Sequence, residues 1–593
     1  MTTTAPPVRP ARPPARPARP ARPGRGAGPR PSAAAVLGWT LAVLVPLGFL
    51  AAAFVAPLVA TVARGFVPDG RVDLSGLADV LGRSRTWRVV GQTLTQAGLA
   101  TVVAVVLGVP GAYVLHRLSF PGRRLVRALV TVPFVLPTVV VGVAFRSLLV
   151  EGGPLGGLGW DGSLAGIVAA LVFFNYAVVV RAVGGLWEGL DPRMEGAARS
   201  LGASPLRVLL TVTLPALAPA IASAASLVFL FCATSFGTVL VLGGLRYGTV
   251  ETEIWVLTTQ LLDLRAAAVL SVVQLVIVAA ALTVAGRMRA RRERALAWRP
   301  AHDTARPLRL RRPAGTAPGD GHALDLAAAA VTALVVLAIA TPLVNLVVRS
   351  LRVGGGWGLD HYRALGVRSP GLPVTALEAA ATSLRAALDA TVLALVVGTL
   401  LALVLSRRPR GAPGRRAVAA LDAVVTLPLG VSAVTVGLGL LLVLHRPLGL
   451  DVDLRTSPLL VPVAQAVVAV PLVVRTVLPV LRAVDPRLRE VAGTLGAAPG
   501  RVLASVDAAL AARAGGLAVG FAFAASLGEF GATAFLAQPA APTLPVVVAR
   551  LVGRPGADSL GQALAASVLL AVVTALVVGA LERLRAPGTA QDW

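Results

Sequence analysis

The sequence predicts an all-α polytopic membrane protein of about twelve transmembrane helices, arranged as two parallel repeats of six. Of its 593 residues, 56% are hydrophobic and only 14% are charged, whereas about 25% of residues are charged in a typical soluble domain. Apolar runs long enough to cross a bilayer recur along the chain. Polar motifs of the first half also return in the second half at a nearly constant offset, which indicates an internal duplication.

The apolar runs give the order of the elements, because a membrane-spanning helix needs about 20 apolar residues. The predicted spans are 36–63, 89–115, 128–150, 162–186, 214–243 and 264–286 in the first half, and 324–348, 382–405, 417–445, 457–481, 512–537 and 559–581 in the second. The corresponding domains are a tail (1–35), a first half (36–288, core 88–288), a basic linker (289–323), a second half (324–585, core 380–582) and a short C-terminal tail (586–593).

The ends of the chain are strongly basic. Residues 1–35 repeat Ala-Arg-Pro units with seven Arg and no acidic residue, a composition that predicts a disordered tail. We interpret it as a solvated topology anchor without a nucleic-acid partner; attraction to anionic lipid is the alternative. The first apolar run is too long for a signal peptide and should stay in the membrane.

Arginine placement predicts the orientation. Alternate loops that include both termini hold 35 Arg, against 14 in the opposite set, and Arg-rich loops stay in the cytoplasm. Both termini and the basic linker are therefore expected inside.

Composition also limits the chemistry. All 55 basic residues are Arg, and a P-loop ATPase needs a lysine at the phosphates. The single cysteine, Cys232, allows no internal disulfide or cysteine-based metal site, and it is expected to be a small buried group. We therefore expect no catalytic residue, no metal and no cofactor bound by this chain.

Two polar loops are the most informative part of the repeat. Leu190–Arg193 recurs as Val484–Arg487 at an offset of 294, and Ser235-Phe236-Gly237 recurs as Glu529-Phe530-Gly531 at the same offset. In each loop an Asp-Pro pair suits the start of a short helix, and Gly202 or Gly496 should end it. An even number of spans per half places both loops on the same side, where they would form two equivalent docking surfaces.

These loops resemble the EAA loops of ABC importer permeases, whose pattern is Glu-Ala-Ala, three residues, Gly, nine residues, Ile, one residue, Leu-Pro. In the first half Gly196 stands at the Glu position and Glu195 is displaced by one; in the second half Ala508 and Ala509 replace Leu-Pro. The residues assigned to ATPase docking by this resemblance are Glu195, Gly196, Ala197, Ala198, Gly202, Arg207, Leu214, Pro215, Glu490, Ala492, Gly496 and Arg501.

The resemblance implies the passive membrane subunit of an ATP-driven importer with a type I permease fold, in a bacterial cell membrane. ATP and Mg would be bound by a separate dimer of ATPase subunits on the cytoplasmic face. An extracytoplasmic solute-binding protein would deliver the solute.

Fusion of two permease halves in one chain is similar to the thiamine and ferric-iron importers. The segment Ser526–Thr533, followed by Thr543-Leu544-Pro545, resembles the thiamine type more closely. The resemblance therefore implies transport of thiamine or a thiamine phosphate, with ferric iron or another small ion as the alternative. Molybdate and sulfate permeases also resemble the Gly-Glu-Phe-Gly segment. Six residues are possible pathway positions: Ser235, Phe236, Gly237, Glu529, Phe530 and Gly531.

Glu529 is the most distinctive charge within a predicted span, because a carboxylate in lipid is costly. It either lines the pathway, where it would contact a cationic solute, or is held by hydrogen bonds near a helix end. We interpret the other intramembrane charges as structural, since long Arg side chains reach the interface; they are Arg146, Arg181, Arg385, Asp389 and Arg475.

Two other classes of protein compete with this interpretation. A secondary transporter can also have parallel six-helix halves, but acidic or His relays would be expected within its spans. A membrane-embedded enzyme would need clustered catalytic groups, which the loops do not provide.

Overall fold

The computed structural model describes residues 33–67, 71–244, 246–292, 306–308, 321–369, 371–407, 409, 411–445, 447 and 451–583. Nearly all of the predicted N-terminal tail, most of the basic linker and the whole predicted C-terminal tail lie outside these residues. Within them, strands are confined to two short pairs. Strand β1 (Leu118–Ser119) pairs in parallel with β2 (Arg306–Pro307), and β3 (Arg352–Val353) is antiparallel to β4 (Gly356–Trp357).

Helices make up the rest of the ordered elements. Those before the linker are α1 (Ala33–Leu50), α2 (Ala56–Phe66), α3 (Ser75–Gly82), α4 (Ser84–Arg117), α5 (Arg123–Val135), α6 (Thr138–Leu149), α7 (Leu164–Glu188), α8 (Pro192–Ser200), α9 (Pro205–Val208), α10 (Leu214–Ala233), α11 (Gly237–Gly243), α12 (Val250–Thr259) and α13 (Leu264–Arg292). Those after it are α14 (His322–Ser350), α15 (Asp360–Arg363), α16 (Ala376–Leu405), α17 (Ala412–Gly430), α18 (Ala433–Val443), α19 (Leu460–Ala483), α20 (Pro486–Thr494), α21 (Pro499–Val502), α22 (Ala509–Gly528), α23 (Thr533–Leu536), α24 (Leu544–Val552) and α25 (Ala557–Arg583). Three π-helical turns cover Ala51–Val55, Leu209–Thr213 and Leu503–Ala508.

The predicted all-α, multi-pass fold class is confirmed. In the described residues nine helices are long and apolar enough to cross a membrane, or up to twelve if each of three sharply bent pairs is one span. The nine include the continuous segment of α1 and α2, and the bent pairs are α5 with α6, α17 with α18, and the two parts of the segment Gly500–Gly528.

Two predicted spans contain sharp bends that the apolar pattern does not reveal. The spans 128–150 and 417–445 are not straight but bend by 105° and 97°. In the first, Pro137 keeps Leu136 out of the helical region (ψ 141°). In the second, the Ser432 hydroxyl accepts from the Val434 and Thr435 amides and starts a new helix.

The predicted spans 214–243 and 512–537 extend too far. Their long helices, α10 and α22, end at Ala233 and Gly528, and the remaining residues belong to loops and to the short helices α11 and α23. The segment that contains α22 also bends by 59°. The physical reason is a polar interruption after each long helix, at Thr234-Ser235 and at Glu529. The Thr234 hydroxyl donates back to the Leu230 carbonyl of α10, and the Thr533 hydroxyl donates to the Glu529 carbonyl.

The first span of each half packs against the other half. Helix α1 contacts α16 and α2 contacts α18, while α14 contacts α4 and α6. The approach of α18 to α2 is so close that a Cβ at Gly439 would lie 2.5 Å from the Pro57 carbonyl oxygen. On the other side, the Asn345 amide of α14 donates to the Ser147 hydroxyl of α6 at 2.9 Å.

Two ion pairs join the start of α4 to α12 and the loop before α3 to the start of α13. The Arg85 guanidinium donates to both oxygens of Glu253, at 2.5 and 2.7 Å, and Arg265 donates to Asp73 at 2.7 Å. Hydrogen bonds from Ser75, followed by Arg265, lower the pKa of Asp73 to about 2. Because folding lowers the pKa of Asp73, its ionised side chain stabilises the fold fully at pH values above the usual Asp pKa. This contribution to stability is lost as the pH falls toward 2.

Candidate solute pathway and coupling loops

A cavity of about 1250 Å³ lies between the two halves and is lined by residues of both. Its lining includes Asp485 and Leu488, at the start of α20, as well as Phe236 and Phe530. Its wall is mainly apolar and holds six of the chain's 15 phenylalanines: Phe134, Phe174, Phe231, Phe236, Phe521 and Phe530. Among the described residues that line it, Arg475 is cationic and Asp485 and Glu529 are acidic.

Two phenylalanines from equivalent positions stack on each other in the lining of this cavity. The rings of Phe236 and Phe530 stack with centroids 5.3 Å apart and an interplanar angle of 16°, and both residues are buried. Phe236 lies shortly after the C-terminal end of α10, and Phe530 shortly after the C-terminal end of α22. Close packing beside the pair requires a glycine, because a Cβ at Gly237 would lie 2.6 Å from the Thr138 hydroxyl oxygen and 3.2 Å from the Phe530 ring.

Glu529 is held in place by backbone amides. One carboxylate oxygen accepts from the Ala532 amide at 2.7 Å and the other from the Thr533 amide at 3.1 Å. The side chain is buried and lines the cavity. These hydrogen bonds agree with the interpretation of Glu529 as a carboxylate held near a helix end. The same carboxylate also lies beside the cavity. Neighbouring Ser235, Gly237 and Gly531 also line the cavity.

Glu251 was missed by sequence reasoning as a site residue. Its side chain is fully buried on α12, where it accepts from the Gln274 amide at 3.1 Å and from the Ser432 hydroxyl. Ser432 belongs to the second half and lines the cavity, so this carboxyl group joins the halves. The sequence offers little signal for it, because Glu251 stands beside Thr249, Thr252 and Glu253 in a polar stretch between two predicted spans.

The two repeated loops form nearly identical short helices, as predicted. Asp191 and Asp485 cap α8 and α20 by accepting from the amides of Arg193 and Arg487, both at 2.9 Å. Gly202 and Gly496 follow the helices with φ of +84° and +81°, the left-handed conformation that glycine adopts at little cost. We call α8 and α20 the coupling helices.

The surface of the coupling helices is partly apolar. Leu201 and Leu495, which occupy equivalent positions, are 88% and 82% exposed, and the equivalent pair Met194 and Leu488 is about half exposed. Sequence reasoning overlooked these four residues because they lie in polar segments. Among the predicted docking residues, Gly196, Ala197, Gly202, Arg207, Pro215, Glu490, Gly496 and Arg501 are exposed, while Ala198, Leu214 and Ala492 are partly buried.

Glu195 differs from the other predicted docking residues because its carboxylate is turned toward the transmembrane helices. It accepts from the Thr213 hydroxyl at 3.1 Å and lies 3.7 Å from Arg117. In the second half a buried acid, Asp507, receives hydrogen bonds from Arg489 and Arg407.

The remaining charges singled out in the sequence are dispersed. Arg475 lines the cavity and donates to the Thr426 hydroxyl at 3.1 Å, and Arg181 stands at the equivalent position of the first half. Arg146 donates to the Val552 carbonyl at 3.4 Å. Arg385 and Asp389 lie one turn apart on the exposed face of α16, and Cys232 is fully buried. Within the described residues no group of three metal-ligating side chains comes together.

Residues 100–292 match the family described as the binding-protein-dependent transport system inner membrane component. The molybdate/tungstate transport system permease protein WtpB of Thermococcus kodakarensis is 31% identical over 207 residues, which are 34% of this chain and 78% of that protein. The chain therefore belongs to the binding-protein-dependent transport permeases, the membrane subunits of ABC importers.

Two further relatives differ in how much of the chain they match. A probable sulfate transport system permease protein, cysT of Nephroselmis olivacea, is 35% identical over 160 residues, which cover 26% of this chain and only 56% of that protein. The thiamine transport system permease protein ThiP of Brucella abortus is 28% identical over 499 residues, covering 82% of this chain and 86% of that protein. The similarity to ThiP thus extends through both halves.

Proposed function

We propose that this chain forms the membrane pathway for thiamine or a thiamine phosphate, which an extracytoplasmic binding protein delivers. The observation that carries this proposal is the similarity to ThiP over 82% of the chain. The sulfate and molybdate/tungstate relatives match only 26% and 34% of it.

The cavity wall supports an aromatic, cationic solute. Aromatic side chains pack against flat heterocycles, and their faces attract organic cations. Six phenylalanines line the cavity beside the fixed Glu529 carboxylate. A small hydrated oxyanion would gain little from such a wall. Arg475, which also lines the cavity, would suit a phosphate group on the solute.

We further propose that ATP is hydrolysed on separate subunits that dock on α8 and α20. The exposed leucines at the end of each coupling helix, together with Met194 and Leu488, provide two equivalent apolar patches, and exposed apolar patches rimmed by polar residues mark protein–protein contacts. An even number of spans between the loops, if each bent pair crosses once, would place both on the cytoplasmic face with the termini. The cavity, which reaches the start of α20, would then be open inward and closed outward by Phe236 and Phe530.

A second candidate function is transport of sulfate or molybdate, which the higher identity of those relatives favours. Reconstitution distinguishes the candidates. The purified chain is placed in liposomes with the ATPase and binding protein encoded beside it, and uptake of labelled thiamine is measured against unlabelled thiamine diphosphate, sulfate, molybdate and ferric citrate. We expect no ATPase activity from the chain alone and ATP-dependent thiamine uptake from the complex. Uptake of sulfate, molybdate or iron instead would overturn the thiamine assignment, and uptake driven by an ion gradient without the ATPase would overturn the importer assignment.

A matched pair of variants tests the role of the cavity wall. Phe174→Leu removes a ring that lines the cavity, whereas Phe66→Leu makes the same change outside it. We expect the first to raise KM for thiamine by about 3- to 10-fold, since an aromatic or cation–π contact contributes roughly 0.5–1.5 kcal/mol. The second should leave KM unchanged. Equal KM values for both variants and the parent protein would count against an aromatic pathway.

A further inference from the structure

Each coupling helix is joined to the transmembrane helices by a cluster of polar side chains, and the two halves build this cluster with opposite charges. In the first cluster Glu195 of α8 is the acid, and its partners are Thr213 at 3.1 Å and Arg117 at 3.7 Å. In the second cluster the residue on the coupling helix is basic. Arg489 of α20 donates to Asp507 at 2.8 Å, and Arg407 donates to the same carboxylate at 3.0 Å.

The two clusters occupy the same positions in the repeat. Glu195 corresponds to Arg489 and Thr213 to Asp507 at the offset of 294 that relates the coupling loops. Thr213 and Asp507 both lie in the π-helical turn that follows the loop, a distortion that is frequent at functional sites. The third member of the first cluster, Arg117, is the last residue of α4, and the third member of the second cluster, Arg407, follows the end of α16. The contact between the coupling helix and the π-helical turn is therefore kept with exchanged residue types, while the arginine at the end of α4 contacts Glu195 of the coupling helix and the arginine after α16 contacts Asp507 of the turn.

A neighbouring contact shows the same reversal of charge. Arg127 donates to Glu188, at the end of α7, at 3.0 Å. The position equivalent to Glu188 is Arg482, and the position equivalent to Arg127, at the offset of 295 for that segment, is Asp422. The charges at these two positions are therefore exchanged between the halves, and Arg482 itself donates to the Leu405 carbonyl at 3.5 Å.

Burial makes these contacts resistant to separation. The Asp507 side chain is 2% exposed and that of Arg117 is 9% exposed, while Glu195 and Arg489 are about one-quarter exposed. Moving the coupling helix away would separate Glu195 from Arg117 in the first half, and in the second half it would take Arg489 from the buried Asp507, which would keep Arg407. Losing part of a buried ion pair in this way is unfavourable. A displacement of α8 or α20 should therefore carry the π-helical turn and the end of α4 or α16 with it.

We propose that Arg117–Glu195–Thr213 and Arg407–Asp507–Arg489 are the links that transmit movement of the coupling helices to the helices around the cavity. The proposal rests on the proposed function, because it assumes that an ATPase moves α8 and α20. Helix α4 packs along α7 and α10, and α16 packs along α19 and α22. Residues of α7, α19 and α22 line the cavity. Each cluster thus connects a docking surface to the wall that has to move.

Exchange of charge between the halves tests this link. Glu195→Arg places two arginines beside Thr213 and should break the first cluster, while the double variant Glu195→Arg with Thr213→Asp rebuilds it in the form of the second. Arg489→Glu and Arg489→Glu with Asp507→Thr are the reciprocal pair. Glu151→Arg is the matched control, because Glu151 is exposed in the turn after α6, far along the chain from the coupling loops. Each variant is assembled with the ATPase, and three quantities are measured: ATPase retained on purification, ATP hydrolysis, and solute transported per ATP.

We expect the two single variants to retain the ATPase but to transport about 2- to 30-fold less solute per ATP, the range of coupling energies found along connected networks. Both double variants should recover most of this loss, and Glu151→Arg should behave like the parent. Single variants with unchanged transport per ATP would overturn the proposal, as would double variants no better than the singles. Failure of the unmodified chain to bind any ATPase would instead overturn the proposed function, so the two failures are distinguishable.

Discussion

Phe236 and Phe530 meet across the interface between the halves because a long helix ends just before each of them. At the end of a helix the chain can turn, and an aromatic ring can then reach the partner half. Gly237 permits this arrangement, since any Cβ there would overlap Thr138. Among the possible pathway residues found in the sequence, Phe236 and Phe530 are the pair whose rings stack across the two halves.

The first prediction concerns the closure of the cavity. Phe530→Ala removes one ring of the stacked pair, and we expect liposomes with this variant to leak small solutes without ATP, because the end of the cavity is no longer filled. A cavity of this kind costs about 3–5 kcal/mol in a rigid core, so partial collapse is expected as well. The measurement is efflux of a trapped fluorescent dye of thiamine size. Phe521→Ala, which removes a ring from the wall but not from the stacked pair, is the control; equal leakage from the two variants would contradict the assignment.

At the scale of elements, the coupling helices show how different sequences give one structure. Pro192–Ser200 and Pro486–Thr494 differ at most positions, but both have an Asp cap, Pro at the first position and a left-handed Gly after the last turn. These signals act through the backbone, so they determine the length of the helix whatever its surface carries. The surface is then free to differ at other positions, and the exposed apolar pairs are retained together with Arg193 and Arg487.

The second prediction addresses the exposed leucines. Leu201→Glu combined with Leu495→Glu should weaken association with the ATPase by about 10- to 30-fold, the effect expected when central apolar contacts of an interface are lost. Folding should be unaffected, because both side chains are more than 80% exposed. Association is measured by titration of the ATPase onto the chain in nanodiscs. Val72→Glu, at a side chain 77% exposed in the loop before α3, is the control, and unchanged affinity in the leucine variant would exclude this surface as the docking site.

At the scale of the whole molecule, the halves are interlocked. The segment of α1 and α2 packs on the second half and α14 packs on the first. The predicted linker at residues 289–323 therefore divides the two halves in the sequence. In the folded protein, the first span of each half packs on the other half. Neither half can bury all of its apolar surface alone, since the surface that receives the exchanged span belongs to the other half.

The third prediction follows from this exchange. A protease site inserted between residues 309 and 320 should allow cleavage of the linker without separation of the halves in detergent, and transport should persist. Association is measured by size-exclusion chromatography of the cleaved protein. Each half expressed alone should be degraded or aggregate. Separation of the cleaved halves would show that the exchanged spans contribute little to assembly. Asn345→Leu, which removes the hydrogen bond to Ser147, should weaken the association of the cleaved halves.

Much of the candidate site was accessible from the sequence because it is encoded locally. The Asp-Pro openings and the glycines at 202 and 496 predicted the coupling helices, and the repeat related Phe236 to Phe530. Other features were hidden because they depend on contacts between distant segments. Glu251 and Ser432 are 181 residues apart, and nothing around either predicts that they meet. The bends at Pro137 and Ser432 were missed because hydropathy averages over a window and does not detect a change of direction.

The sequence by itself determined the class of fold, the duplication and the local form of the two docking loops, because apolar length, repeat register and helix caps act within a few turns of the chain. Only the tertiary structure decided which half each first span covers, which rings stack across the two halves and how reversed charges complete the two clusters. These depend on packing between surfaces that are far apart in the chain, and the free energy of such packing is set by complementary shape and charge, which neither segment carries alone.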